Sequence, residues 1–443
     1  MIVTFMKQLF SRTSKLANYI VMMVLVLVPF HAFLTVWGSK FVGHYTLLRL
    51  WDDAALLLLL GIATIWLVKD EEIREWFAGS LLVRLIVGYA GLSLLLSLVS
   101  LAKGDVAPKA LAYGLLINLR FLGWFLVVLL TAQRSPLLAR LWPKLVLVPA
   151  AVVVLFAGLQ STALPHNFLA HFGYDKNATI APVETINHNA SYIRVQSTLR
   201  GANPLGAYLV LILSVLGTSF FWGKRKVVCG VFGVVALFAL YASGSRSAWI
   251  GSVLSLLVVG WLQLKNHRQR IYFGGASLAL LVVLVGGYLL LKSNTRVQNE
   301  LLHTQTHSAS KVSSNAAHAS AFKNGINDVV HQPFGSGPGT AGPASQYNTG
   351  HPVRIAENYY VQIAQETGWI GLALFVGIVV LVAQELYGRI KESRLALALF
   401  AALIGISFVN LLSHAWTDDT LAYLWWGLAG IALGSVVPKQ EEN

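Results

Sequence analysis

The stretch "ANPLGAYLVLILSVLGTSFFWGKRK" at residues 202–226 decides the fold class. Residues 202–222 carry no Asp, Glu, Lys or Arg, and three cations, Lys224, Arg225 and Lys226, follow within a short loop. An α-helix needs about 20 mostly apolar residues to cross a bilayer core. Asn203 suits a helix N-cap and Pro204 its first turn, so the run opens as a helix. The same pattern recurs along the 443 residues, at about 17–37, 45–68, 79–102, 107–132, 142–160, 202–222, 226–243, 246–264, 270–292, 359–384, 395–413 and 419–438. The break at Ser243–Ser247 either separates two helices or splits one long one. The expected architecture is an all-α integral membrane protein of about 12 transmembrane helices, folded as a single polytopic domain over residues 1–443.

Composition supports this reading. The chain is 56% hydrophobic and 12% charged, with a mean hydropathy of +0.64, whereas soluble domains carry about 25% charged residues. The single cysteine, Cys229, excludes disulfides and cysteine-rich zinc sites within one chain. A net charge of +14 does not indicate nucleic acid here, because membrane proteins hold Lys and Arg in cytoplasmic loops. The short loops with Arg12 and Lys15, Lys69 and Arg74, Arg134 and Arg140, Lys224–Lys226, Lys265 and Arg268, Arg389 and Lys391, and the end with Lys439 belong on that side. Both termini are therefore expected in the cytoplasm. The first apolar run, Ala17 to Trp37, is too long for a signal-peptide core and lacks a following cleavage site, so no cleavable signal is expected. Two long segments then face outward: a first external loop at 161–201, and a large one at 293–358. Long loops in compact domains are usually functional. The larger loop carries an apolar set at helical spacing (Ala321, Phe322, Ile326, Val329, Val330), followed by turn-rich Pro333–Gly339.

Arginines at membrane depth are the residues that demand an explanation, because charge there is costly and usually functional. Arg246 lies in Ser243-Gly-Ser-Arg-Ser-Ala-Trp249. There it either holds a phosphate, helped by Ser245 and a helix start, or snorkels beside Trp249. Arg194 and Arg200 belong to a segment leading into the 202–222 helix. A cation beside a helix N-terminus makes sense when an anion sits between them. Arg120 lies deep in its apolar run and should face an interior, bound either to a ligand or to Asp52 or Asp53. Glu357 and Asn358 open the 359–384 helix ahead of Tyr359. Glu357 is either a helix-capping acid or a general base, which needs a raised pKa. His318, His331 and His351 are rival bases, and His303 and His307 are too loosely spaced to make a metal site. Gly335–Gly339 lacks the Lys and Ser/Thr of a nucleotide-binding loop. No cofactor and no metal are expected.

Taken in order, these motifs resemble the bacterial O-antigen ligase and polymerase family of membrane glycosyltransferases, which is similar in fold to the C-type glycosyltransferases. The resemblance rests on the span count, an arginine before a mid-chain helix and the Ser-Arg-Ser-Ala-Trp segment. It also rests on the large loop with "HQPFGSGPGTAGPAS" and the closing "ENYYVQIAQETGWIGLALF". It implies a bacterial cytoplasmic-membrane enzyme with its active site on the outer face. Such an enzyme moves glycan from an undecaprenyl-diphosphate-linked donor to a hydroxyl of a glycan, glycolipid or other cell-surface acceptor. Its partners are then donor, acceptor and membrane lipids, with no nucleic acid. Arg246 matches the family's first functional arginine. His318, four residues before Phe322, stands where a second arginine is typical, and Glu357 where the ligases place a histidine. These departures fit a polymerase, or a ligase for another acceptor, better than a lipid A-core ligase. The expected catalytic set is Glu357, Arg246 and His318. The expected binding set is Arg120, Arg194, Arg200, Asn203, Ser245, Asn358 and Tyr359. A transporter or flippase of lipid-linked sugars is the alternative, disfavoured by polar clusters gathered on one side and by the lack of an internal repeat.

Overall fold

The computed structural model describes residues 2–186, 189–223, 225–294, 297–298 and 314–435. Lys224, His303, His307 and Lys439, named above, lie outside the described residues. The longer helices, in chain order, are α1 (Ser11–Val42), α2 (Trp51–Lys69), α3 (Leu81–Lys103), α4 (Pro108–Arg134) and α5 (Leu137–Thr162). They continue with α6 (Ala202–Trp222), α7 (Lys226–Ala242), α8 (Arg246–Gln263), α9 (His267–Leu291) and α10 (Ser314–His331). The last three are α11 (Tyr359–Gly388), α12 (Arg394–Asn410) and α13 (Asp419–Gly434). A helix stands at each expected span. Among the described residues seven, α1 to α6 and α11, are long and apolar enough to cross a bilayer. Helices α7 and α12 are apolar but shorter, at 17 residues each, so the described helices establish a membrane protein without fixing the number of crossings at about 12.

Small residues set the helix contacts. Gly427, Gly430 and Gly434 recur along one face of α13. A Cβ at Gly430 would lie 2.9 Å from the Phe125 carbonyl oxygen, and one at Gly434 2.3 Å from that of Leu129, both on α4. Close backbone approach of this kind is how membrane helices gain packing without a hydrophobic driving force. Helix α6 is buried almost all round from Leu205 to Leu216. By contrast, α2 and α3 expose Leu57, Leu94, Leu95 and Leu98, a surface suited to lipid chains.

Helix α11 is where the fold departs from its sequence pattern. The apolar run predicts a continuous helix, but Gly368 adopts φ +67° and breaks it. The break frees backbone groups at membrane depth, where each unsatisfied group costs several kcal/mol. The turn-rich 333–339 segment satisfies them. Ser336 N–H donates to the Gln365 carbonyl at 2.9 Å, Gly337 N–H to that of Glu366 at 2.8 Å, and Trp369 N–H to that of Pro333 at 3.0 Å. Gly339 N–H donates to the fully buried Glu366 carboxylate at 2.8 Å, which also receives Asn118 Nδ2 at 2.5 Å. The loop is thereby stitched into the helices.

Two local expectations change. A short antiparallel hairpin, β1 (Glu184–Ile186) and β2 (Asn189–Arg194), interrupts the all-α pattern in the 161–201 loop. On α10, Val329 is buried against Ala356, Val361 and Ala364, whereas Phe322, Ile326 and Val330 are exposed. The apolar set expected to pack as one face therefore does so only in part.

Candidate functional site

Several helix ends converge on one cavity of about 420 Å³. Its walls come from the start of α6 (Asn203), the α7–α8 break (Gly244, Arg246, Ser247), the loop after α12 (Leu412, Ser413), α10 (Asn315, His318) and Glu357 just before α11. Strand β2 adds Arg194. Five of the expected site residues, Arg194, Asn203, Arg246, His318 and Glu357, therefore share one cavity.

Local structure explains how each arrives. Between α7 and α8 the chain turns through Gly244 at φ +61°, so the Ser243–Ser247 break separates two helices. The freed carbonyls there are taken up by the hairpin. Arg194 Nε donates to the Ser243 carbonyl at 2.9 Å, and Val195 N–H to that of Ala242 at 3.0 Å. Arg194 also donates to Asn203 Oδ1 at 2.5 Å and lies 3.9 Å from Glu184, its partner across the hairpin. Arg246 opens α8 and donates to Asn315 Oδ1 at 2.8 Å. Among the described residues no side chain caps α8, and Arg246 and Ser247 of its first turn line the cavity, an end that favours anions.

Glu357 takes φ +53°, the left-handed region that non-glycine residues adopt at a cost. It is not the helix cap. Asn358 holds that role, with Oδ1 accepting Val361 N–H at 3.0 Å and Nδ2 donating to the Leu411 carbonyl at 2.9 Å. Glu357 Oε2 instead lies 2.5 Å from His318 Nδ1. That hydrogen bond holds the Glu357 carboxyl below its usual range, against the opposing effect of burial. A lowered pKa is the reverse of what a lone carboxylate base requires. The pair instead orients the His318 ring through Nδ1. His414, which the sequence reading missed, is half-buried next to this pair and its pKa is pushed down to about 4 by desolvation, so it is neutral at pH 7.

The structure does not bring the remaining expected residues to the cavity. Arg120 is buried and ion-paired with Asp419; Asp53 lies 3.8 Å away, and Arg120 also donates to the Thr417 carbonyl at 3.2 Å. His31 lies between Asp52 and Asp419, at 3.5 and 3.3 Å. Of the two sequence readings of Arg120, the structure gives the carboxylate-bound one, with Asp419 as the unforeseen principal partner. Arg200 lies near Tyr45 and Tyr113 and is not among the residues that line the cavity. The anion at the start of α6 is the protein's own Glu184, which accepts Ala202 N–H at 3.2 Å. Ser245 packs against Gly206, and Tyr359 packs on Phe375 in the core. His331 and His351 bond to the carbonyls of Asn327 and Gly104, away from the cavity.

Residues 231–376 match the O-antigen ligase family. That segment contains the α7–α8 break, Arg246, Asn315, His318 and Glu357, the greater part of the cavity wall. The sequence is also 24% identical over 271 residues to an O-antigen polymerase of Salmonella muenchen, a match covering 58% of this chain and 65% of that protein. Together they support the O-antigen ligase and polymerase family. The aligned region spans just under two thirds of that relative's length. Glu366 and its partner Asn118 were also missed, although an acid two residues before a glycine inside an apolar run was a legible signal.

Proposed function

We propose that the protein is a membrane glycosyltransferase of cell-surface polysaccharide biosynthesis that moves a glycan from an undecaprenyl-diphosphate carrier to an acceptor hydroxyl. The observation that carries this reading is the single cavity holding Arg194, Arg246 and the His318–Glu357 pair. Guanidinium groups offer planar, two-pronged donors that match phosphate oxygens, and the start of α8 adds backbone donors. His318 Nε2 takes the acceptor hydroxyl proton while Glu357 holds the ring in place. The acceptor oxygen attacks the anomeric carbon, and the carbon–oxygen bond to the diphosphate breaks. The departing diphosphate gains negative charge that Arg246 and Arg194 stabilise, an effect of about 3–4 kcal/mol per well-placed donor. Displacement from the opposite face inverts that carbon.

The short basic loops support a topology with both termini in the cytoplasm and this cavity on the outer side of a bacterial cytoplasmic membrane. Purified protein incubated with undecaprenyl-diphosphate-linked glycan and candidate acceptors should yield a glycosylated or lengthened product by mass analysis, with free lipid diphosphate in equal amount. Donor that stays intact with every acceptor, or a product with retained anomeric configuration, rejects this mechanism.

A further inference from the structure

A second cavity, of about 720 Å³, lies on the other side of α10, within the range of about 300–1,000 Å³ typical of ligand pockets. Asn315 and His318 face the first cavity, whereas Ala317, Asn324, Asn327 and Asp328 line the second. Spacings of three and four residues put each set on its own helix face. The two cavities share a wall, since Ala317 and Ala356 line one while their neighbours His318 and Glu357 line the other.

The two cavities differ in chemistry. The guanidinium of Arg354 is committed: it donates to Asp328 Oδ2 at 2.9 Å, Gln332 Oε1 at 3.0 Å and Ser336 Oγ at 3.3 Å. Its charge is matched by Asp328, so the second cavity favours neither an anion nor a cation. Gln365 is 1% exposed and donates Nε2 to the same Asp328 oxygen at 2.7 Å. That bond fixes the amide, yet Gln365 Oε1, also buried, has no hydrogen-bond partner among the described residues. A buried acceptor left this way costs about 1–3 kcal/mol, which a ligand hydroxyl at the cavity wall recovers. Asn324 and Asn327, both exposed, offer donors and acceptors side by side.

We infer that the second cavity is a saccharide site, in which Gln365 Oε1 accepts a hydroxyl of a neutral sugar and Asn324 and Asn327 bond its neighbours. The inference deepens the transferase reading and rests on it for one point only, that the bound sugar belongs to the acceptor. It would hold a sugar of the acceptor remote from the attacking hydroxyl, behind the wall that carries His318 and across α10 from the diphosphate.

The test reads binding without turnover. The full chain in lipid nanodiscs is examined by saturation-transfer NMR with glucose, galactose, mannose, rhamnose and N-acetylglucosamine, each at millimolar concentration. At least one sugar should give a signal that persists in Arg246→Ala. That signal should fall at least fivefold in Gln365→Leu and in the Asn324→Ala/Asn327→Ala double variant. The double variant alters exposed side chains only, so it decides the matter even where Gln365→Leu fails to fold. No signal from any of the five sugars, survival of the signal in the double variant, or its loss in Arg246→Ala overturns the site. Sugar binding in the expected pattern by a protein that never transfers glycan keeps the site and rejects the transferase reading.

Discussion

Two arginine settings in this molecule share a residue type and little else. Arg120 is sealed among α4, Asp419 and Asp53, its charge answered by carboxylates of the same chain. Arg246 and Arg194 line an open cavity and donate to amide and carbonyl oxygens of Asn315, Asn203 and Ser243, with the Glu184 carboxylate 3.9 Å from Arg194. Neutral acceptors orient a guanidinium without cancelling its charge, which leaves it able to attract an anion. Depth in the membrane therefore does not by itself mark a binding arginine. What distinguishes the two settings is access: Arg120 is sealed in the interior between carboxylates, whereas Arg246 and Arg194 stand at the wall of an open cavity.

The contrast is open to direct attack. The largest effect should come from Asp419→Leu, which strands Arg120 as a buried, under-compensated cation; loss of one partner of a buried pair costs about 3–5 kcal/mol. Thermal unfolding in detergent should show a large drop, and an unchanged midpoint would remove the interior pair from the account. Arg246→Ala should behave in the opposite way. Its transfer rate should fall about 10²–10³-fold with a stability change within about 0.5 kcal/mol, measured by initial rates alongside the same melting assay.

Acid should expose a third difference. Burial lowers the pKa of His414 to about 4, below the ordinary histidine value near 6.5. Between those values the unfolded chain holds a proton there that the native one does not, so stability declines as pH falls from about 6.5 toward 4. His414→Gln should flatten that limb of the melting profile. Transfer should fall in acid as well, since protonation of Glu357, whose carboxyl the His318 hydrogen bond holds below its usual range, releases the imidazole. The smallest effect is expected for Asn203→Ala. It removes one hydrogen bond that orients Arg194, worth about 1 kcal/mol, and should appear as a roughly fivefold rise in donor KM with kcat little changed.

Much of this was legible in the chain. Uncharged runs such as 202–222 fix the helices because only a helix satisfies its own backbone in lipid. The Ser243–Ser247 break and the turn-rich 333–339 segment were readable from small residues and glycines. The partners of those segments were not. Asp419 reaches Arg120 only through packing of α13 on α4, and His318 meets Glu357 only because α10 folds back beside the start of α11. Pairings of that kind depend on tertiary geometry and leave no local spacing signal. The Gly368 break escaped notice for a related reason: one glycine in an apolar run is tolerated in a helix, and it becomes a break only where another segment supplies hydrogen bonds. Arg200 shows the reverse error, since the anion inferred at the start of α6 is the chain's own Glu184.

The central claim is that the cavity beside α8, not the interior, holds the diphosphate. Equilibrium binding of undecaprenyl diphosphate to the purified chain in nanodiscs tests it most directly, with wild type and Arg246→Ala compared at equal fold integrity. The account predicts at least tenfold weaker binding for the variant. Equal affinity in both would contradict it.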